Sequence, residues 1–167
     1  MGPPVWYYPG ASGHGAVNTG SARQLHITPA YGEPWIGIFS ARYDGGLTKL
    51  LSCPDPHWLC AISRGAGYFV DSRNPQDWRE AGIFPVEHAL AALDAGLLLL
   101  AGFTDVEALG VDGPVWRSAR LSLDGLRSLR VEGMQLQGEG WYPDCWEEFT
   151  LDLRTGEHQG GPDLSDW

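Results

Sequence analysis

The sequence predicts an all-β, mainly antiparallel fold: a single-domain meander that forms a sandwich, an open barrel or a partial propeller-like sheet, with at most one short helix. From residue 35 onward, short runs rich in β-branched and aromatic residues alternate with glycine-containing turns. Several runs alternate apolar and polar side chains with a period of two, as half-buried strands do. The 167 residues, 43% hydrophobic and 19% charged, suit one globular domain and exclude collagen-like and disordered classes.

The first 32 residues differ in composition from the rest of the chain. Four glycines are spaced through residues 10–20, and the segment lacks apolar periodicity, which is typical of an extended or loop-like arm outside the core. Its Trp-Tyr-Tyr segment, residues 6–8, is apolar enough to pack onto the body. We therefore expect an N-terminal arm over residues 1–32 and one β-rich domain over residues 33–167.

Nine segments of the body have the length and composition of β-strands. The clearest is the last, where Phe149, Leu151 and Leu153 face one way and the intervening polar residues face the other. It pairs with the segment before it in a predicted hairpin over residues 133–154. In chain order the nine are 35–40, 58–63, 67–71, 97–103, 105–110, 115–121, 126–131, 134–141 and 147–153.

Residues 85–95 fit either a helix or a strand. Helical spacing is present at Val86, Ala89, Leu90 and Leu93. Val86, His88 and Leu90 also alternate, as in a strand. The alanine and leucine content favours a helix, whereas the hairpins predicted on both sides favour a strand. We expect a strand.

The charge of the chain is strongly acidic. Lys and Arg total 11 against 21 Asp and Glu, a net charge of −10, so no basic stripe is present to bind nucleic acid. After residue 130 the only base is Arg154. This segment forms either a solvated face, neutralised by arginines that precede it, or a docking surface for a basic partner. Its acids are Glu132, Glu139, Asp144, Glu147, Glu148, Asp152, Glu157, Asp163 and Asp166.

Aromatic residues flank the turn of the acidic hairpin. Aromatic side chains amid carboxylates are typical of a protein-binding hot spot or a sugar-stacking platform. The same aromatic residues would equally serve to cap the core of the hairpin itself. The candidate binding residues are Trp141, Tyr142, Asp144, Trp146 and Glu147.

Three residues with metal-ligand chemistry lie close together in the sequence. Cys53, His57 and Cys60 form Cys-x3-His-x2-Cys, for which Cys145 or His158 would be a distant fourth zinc ligand. The paired Cys-x2-Cys knuckles of zinc ribbons are absent, and Cys60 falls inside a predicted strand. A buried thiol is the simpler interpretation, so we expect no cofactor.

The glycine-rich segment 10–20 superficially suggests a phosphate cradle. It lacks the lysine and the following helix that such a loop needs. Ser12 and His14 lie in the same segment without a third group to orient a base. We therefore assign no catalytic residue.

Several segments resemble an uncharacterised family of small bacterial β-rich proteins, over roughly residues 50–160. The resemblance implies a soluble bacterial β-rich protein, and it implies no activity or site residue. The turn Asp-Leu-Arg-Thr-Gly-Glu at 152–157 is also similar to the repeat turn of quinoprotein-type propellers. The segments that carry the family resemblance are 52–60, 67–71, 96–103, 111–113 with Trp116, and 149–156.

The sequence thus predicts a non-catalytic interaction module whose hairpin contacts a basic protein, as an immunity or inhibitor protein would. The alternative is a small metal-dependent hydrolase that uses Cys53, His57 and Cys60 or the acids between Asp144 and Asp152. No apolar run approaches the roughly 20 residues that span a membrane, so we expect a cytoplasmic protein. Exposed sheet edges would permit a homo-oligomer.

Overall fold

The structure is a computed structural model that describes residues 2–8, 22–41 and 45–165. The predicted all-β class is confirmed. The chain divides into two compact units, Met1–Val86 and Glu87–Trp167, called unit 1 and unit 2 below. Within these described ranges, each unit contains two sheets.

Unit 1 contains a three-stranded and a four-stranded sheet. In the first, the strand order is β1-β3-β2, with β3 parallel to β1 and antiparallel to β2. The second is an antiparallel meander in chain order. The strands are β1 (Val5–Tyr7), β2 (Arg23–Ile27), β3 (Trp35–Phe39), β4 (Lys49–Ser52), β5 (Trp58–Ser63), β6 (Ala66–Asp71) and β7 (Trp78–Glu80).

The core of unit 1 is largely aromatic. Tyr7, Phe39 and Tyr68 are fully buried, and the Tyr7 and Phe39 rings stack with centroids 4.6 Å apart. The Tyr7 hydroxyl donates a 2.9 Å hydrogen bond to the Pro75 carbonyl, which satisfies the polar end of this buried side chain.

This core corrects the prediction of a loop-like arm over residues 1–32. Tyr7 and Ile27 are buried members of the core, and the predicted boundary at residue 32 falls inside the hairpin that pairs β2 with β3. The strands β1 and β2 are short, with three and five residues, and the glycine-rich surroundings conceal them in the sequence. Residues 10–20, including Ser12 and His14, lie outside the described residues.

Unit 2 contains two four-stranded antiparallel meanders, β8 to β11 and β12 to β15. Its core includes Leu99, Leu136, Phe149 and Leu151, and each such side chain contributes about 2 kcal/mol when fully buried. The strands are β8 (His88–Ala92), β9 (Leu97–Ala101), β10 (Val106–Gly110), β11 (Gly113–Arg117), β12 (Leu126–Glu132), β13 (Gln135–Tyr142), β14 (Cys145–Asp152) and β15 (His158–Gly160).

The ambiguous segment 85–95 contains a strand and no α-helix, and we expected a strand there. Strand β8 pairs with β9 over five residues, and a single 3-10 turn, Leu93–Ala95, connects the two strands. Gly96 ends that turn in the left-handed conformation, with φ of 63°. Pairing with an apolar neighbouring strand therefore outweighs the helical propensity of alanine and leucine.

Candidate functional site

The candidate site lies at the end of the hairpin formed by β13 and β14. The two strands pair over eight residues each, and Pro143 and Asp144 form the turn. Asp144 has φ of 69°, and a positive φ after proline is the pattern of a type II turn, which aspartate tolerates. The turn therefore carries an exposed carboxylate at its apex. Residues 141–148 are called the hairpin tip below.

The two tryptophans of the hairpin tip lie directly opposite each other. Trp141 and Trp146 are cross-strand partners, and both are half-buried. The Arg127 guanidinium lies 4.1 Å from the centre of the Trp146 ring, a cation–π distance. A Cβ atom at Gly125 would lie 3.3 Å from the same ring. Trp146 is therefore held in place by its own chain.

The five predicted binding residues do not share one face. Alternation along β14 places Trp146 and Glu148 on one side of the sheet and Glu147 on the other, together with buried Phe149. Tyr142 falls on the Glu147 side, because its cross-strand partner is Cys145. The structure thus brings together Trp141 and Trp146, separates them from Tyr142 and Glu147, and places Asp144 at the apex.

Three acids of the acidic segment are neutralised by arginines. The ion pairs are Arg127–Glu139 at 3.0 Å, Arg130–Glu132 at 2.9 Å and Arg154–Asp152 at 2.6 Å. Hydrogen bonds from Arg154 lower the pKa of Asp152 to about 2. Hydrogen bonds from Arg127 and Ser128 likewise lower the pKa of Glu139. These three acids therefore belong to a solvated face that nearby arginines neutralise.

The acids of the hairpin tip are not neutralised in this way. Asp144, Glu147 and Glu148 are exposed, and within the described part of the chain none of them forms an ion pair. Glu148 lies directly opposite Glu139, whose charge Arg127 compensates. Net negative charge therefore concentrates at the tip.

A polar depression of about 210 Å³ lies beside the hairpin tip. It lies on the same side of the sheet as Trp146, because Glu139, Glu148 and Thr150 line it. Such a depression can accept a polar side chain of a partner. Its polar lining residues are Ser128, Arg130, Gln137, Glu139, Glu148 and Thr150.

Cys145 lies within the hairpin tip but has little nucleophilic character. Its side chain is exposed, and its Sγ lies 3.7 Å from Oε1 of Glu147. Loss of solvation and the neighbouring Glu147 carboxylate raise the pKa of the thiol. Cys145 is therefore a protonated thiol near neutral pH.

The residues predicted to bind zinc are not assembled into a site. Cys60 is buried within β5, and Cys53 and His57 are half-buried in the loop before it. Burial raises the pKa of the Cys53 thiol to about 12, so this thiol is protonated near neutral pH. Among residues 2–8, 22–41 and 45–165, no group of three His, Cys, Asp or Glu side chains is placed to hold a metal ion. This also applies to the acids from Asp144 to Asp152.

Comparison with protein-family models, with curated proteins and with solved structures finds no match. The two resemblances noted from the sequence stay predictions. No helix in the described ranges is long and apolar enough to cross a membrane.

The contacts of Arg127 are the feature that the sequence analysis missed. Arg127 both pairs with Glu139 and lies over Trp146. The sequence shows a group of arginines just before the acidic segment, which indicates that some acids are neutralised. The partner of each arginine, however, depends on strand register. The β12–β13 pairing shifts register between Arg127 and Arg130, and a sequence pattern does not reveal such a bulge.

Proposed function

We propose that this protein is a non-catalytic binding module that contacts a basic protein through the hairpin tip. One observation carries the proposal: arginines neutralise the acids further along the hairpin, whereas Asp144, Glu147 and Glu148 have no ion-pair partner in the described chain. A partner with exposed lysines or arginines would supply the missing positive charge.

The aromatic pair gives this surface an apolar anchor. Trp141 and Trp146 are half-buried, and Arg127 holds the Trp146 ring. A side chain that is already ordered loses little conformational entropy on binding. Tryptophan is also enriched among the residues that dominate binding energies. The tip therefore combines long-range attraction with a rigid contact.

An immunity or inhibitor protein that masks a cationic enzyme or toxin fits this description. Uncompensated carboxylates would speed association with a basic target and make it sensitive to salt. The alternative, a metal-dependent hydrolase, has no assembled ligand set among the described residues.

The test is affinity capture of partners from a lysate of the source cells, at about 50 mM and about 500 mM salt, where screening differs strongly. The baits are the wild-type chain, the double variant Glu147→Lys with Glu148→Lys, and the control Asp94→Lys with Asp112→Lys. The control makes the same change in charge at exposed sites away from the hairpin. Each captured protein is then purified and its affinity is measured directly.

We expect a basic protein that binds the wild type and the control at low salt and is lost from the tip variant. At high salt, its affinity for the wild type should fall by at least about tenfold. A partner that binds all three baits equally, or whose binding does not depend on salt, would contradict the proposal.

A further inference from the structure

A cavity of about 280 Å³ opens between the two sheets of unit 1. Arg23 and Phe39 are cross-strand partners on one face of the first sheet, which Leu25 shares. Leu50 and Ala61 are partners on one face of the second sheet. Both faces carry core residues, so the cavity continues the core of this unit toward solvent. Its lining is Arg23, Gln24, Leu25, Phe39, Thr48, Lys49, Leu50, Ala61, Ile62 and Ser63.

The cavity contains a polar group without a partner. Ser63 is 1% exposed, and its Oγ has no hydrogen-bond partner in the described part of the chain. It lies two residues beyond Ala61 on β5, on the same face. Buried hydroxyls are normally hydrogen-bonded, so the Ser63 hydroxyl offers a donor and an acceptor to a molecule in the cavity. A serine hydroxyl can donate one hydrogen bond and accept others, and its hydrogen rotates to suit the partner.

The charge of the cavity is opposite to that of the chain. Arg23 lines it on the face shared with Leu25 and Phe39, whereas the Lys49 side chain lies on the opposite face of β4 from Leu50. No acid is among its described lining residues, although the protein carries a net charge of −10. Arg23 is exposed at the end of β2, while Leu25, Phe39 and Ala61 provide an apolar wall. An apolar cavity with a small number of precisely placed polar groups is typical of a small-molecule site.

We propose that this cavity binds a small apolar monocarboxylate of about ten non-hydrogen atoms, the size of octanoate. The carboxylate lies toward Arg23 and accepts a hydrogen bond from the Ser63 hydroxyl. The alkyl chain packs against Leu25 and Phe39. This site belongs to unit 1 and does not depend on the proposed contact at the hairpin tip in unit 2.

The test is isothermal titration of the full chain with sodium octanoate, with 1-octanol as the uncharged probe. We expect saturable binding of one octanoate per chain. Arg23→Gln should weaken it by at least about tenfold, because a charge-assisted contact is lost. The control Arg154→Gln removes an equal charge from an exposed site outside the cavity and should change the affinity less than about twofold. Arg23→Gln should leave the weaker binding of octanol unchanged.

Methyl NMR spectra provide a readout that needs no variant. Octanoate should shift the methyl signals of Leu25, Leu50 and Ala61 and leave those of Leu136 and Leu151 in place. Ser63→Ala should weaken octanoate binding severalfold. No saturable binding, equal losses in Arg23→Gln and Arg154→Gln, or shifts outside the cavity would each overturn the proposal. None of these results depends on whether the hairpin tip binds a protein.

Discussion

The indole Nε1 of Trp116 donates a 2.8 Å hydrogen bond to the backbone carbonyl of Leu153. Trp35 makes the same bond, also at 2.8 Å, to the carbonyl of Ser72, and in both cases the acceptor lies 37 residues after the tryptophan. The first bond lies within unit 2 and the second within unit 1. Both units therefore contain the same tryptophan-to-carbonyl hydrogen bond at the same sequence spacing.

The acceptor is in both cases the middle residue of an Asp-x-Arg turn, at 71–73 and 152–154. In each turn the arginine side chain and its backbone N–H both bond the aspartate carboxylate. Each turn follows the third strand of a four-stranded meander. The similarity indicates a repeated motif in which a tryptophan donates a hydrogen bond to the turn that follows a strand of the neighbouring sheet.

The first prediction concerns this tryptophan bond. Trp116→Phe keeps an aromatic ring but removes the N–H donor, so the carbonyl of buried Leu153 loses a partner. We expect a loss of about 1 kcal/mol in the free energy of unfolding, measured by urea denaturation. Trp6→Phe, at an exposed position, is the control and should change stability by less than about 0.5 kcal/mol. Equal effects of the two substitutions would contradict this role of the bond.

The second prediction concerns the close approach of backbone at Gly140. A Cβ atom there would lie 2.1 Å from the Leu121 carbonyl oxygen. Gly140→Ala should therefore destabilise the protein by about 3 kcal/mol or more, because backbone must move. At Gly133 a Cβ meets nothing within 4 Å, and only the positive φ of 57° opposes it. Gly133→Ala should lower the stability by only about 1 kcal/mol. If thermal denaturation shows a smaller loss of stability for Gly140→Ala than for Gly133→Ala, the close backbone contact at Gly140 is contradicted.

The third prediction concerns acid stability. The pKa of Asp152 is lowered to about 2 in the folded protein by Arg154, and an unfolded aspartate has a pKa near 3.9. A carboxyl group whose pKa is lower in the folded than in the unfolded protein stabilises the fold at pH values above its unfolded-state pKa. This stabilisation is lost as the pH falls from about 4 toward about 2. Arg154→Gln should move the carboxyl titration of Asp152, followed by carbon-13 NMR, up toward about 4.

The same titration has an internal control. Asp71, whose pKa is lowered by Arg73, should titrate as before in Arg154→Gln and should shift in Arg73→Gln. If Arg154→Gln leaves the Asp152 titration unchanged, the ion pair is not the cause of the low pKa.

The fourth prediction concerns the reactivity of the cysteines. Cys145 is exposed and Cys60 is buried, so a maleimide should label Cys145 first, as mass spectrometry of the folded protein will show. Glu147 contributes to the raised pKa of Cys145. Glu147→Gln should therefore lower that pKa and increase the labelling rate at pH 8. Asp112→Asn, outside the hairpin, should leave the rate unchanged, and an equal increase there would indicate a general effect of charge.

Much of the candidate site could be predicted at the level of residue type but not of arrangement. The acids and tryptophans near the Pro143–Asp144 turn are visible in the sequence, and the hairpin forms where period-two alternation predicted it. Which acids are neutralised was not predictable, because Arg127 reaches Glu139 only through the β12–β13 register. The cavity in unit 1 was missed because residues from two separate sheets line it.

The order of amino acids was enough to predict the all-β class, because alternation along segments such as Phe149, Leu151 and Leu153 commits one face of each strand to the core. It also determined the total charge and the turn at the hairpin tip. Three features could be found only in the folded molecule: Tyr7 belongs to a core, three acids are paired, and the buried Ser63 hydroxyl has no hydrogen-bond partner among the described residues. Local patterns depend on neighbours along the chain, whereas pairing, burial and cavities depend on residues that only folding brings together.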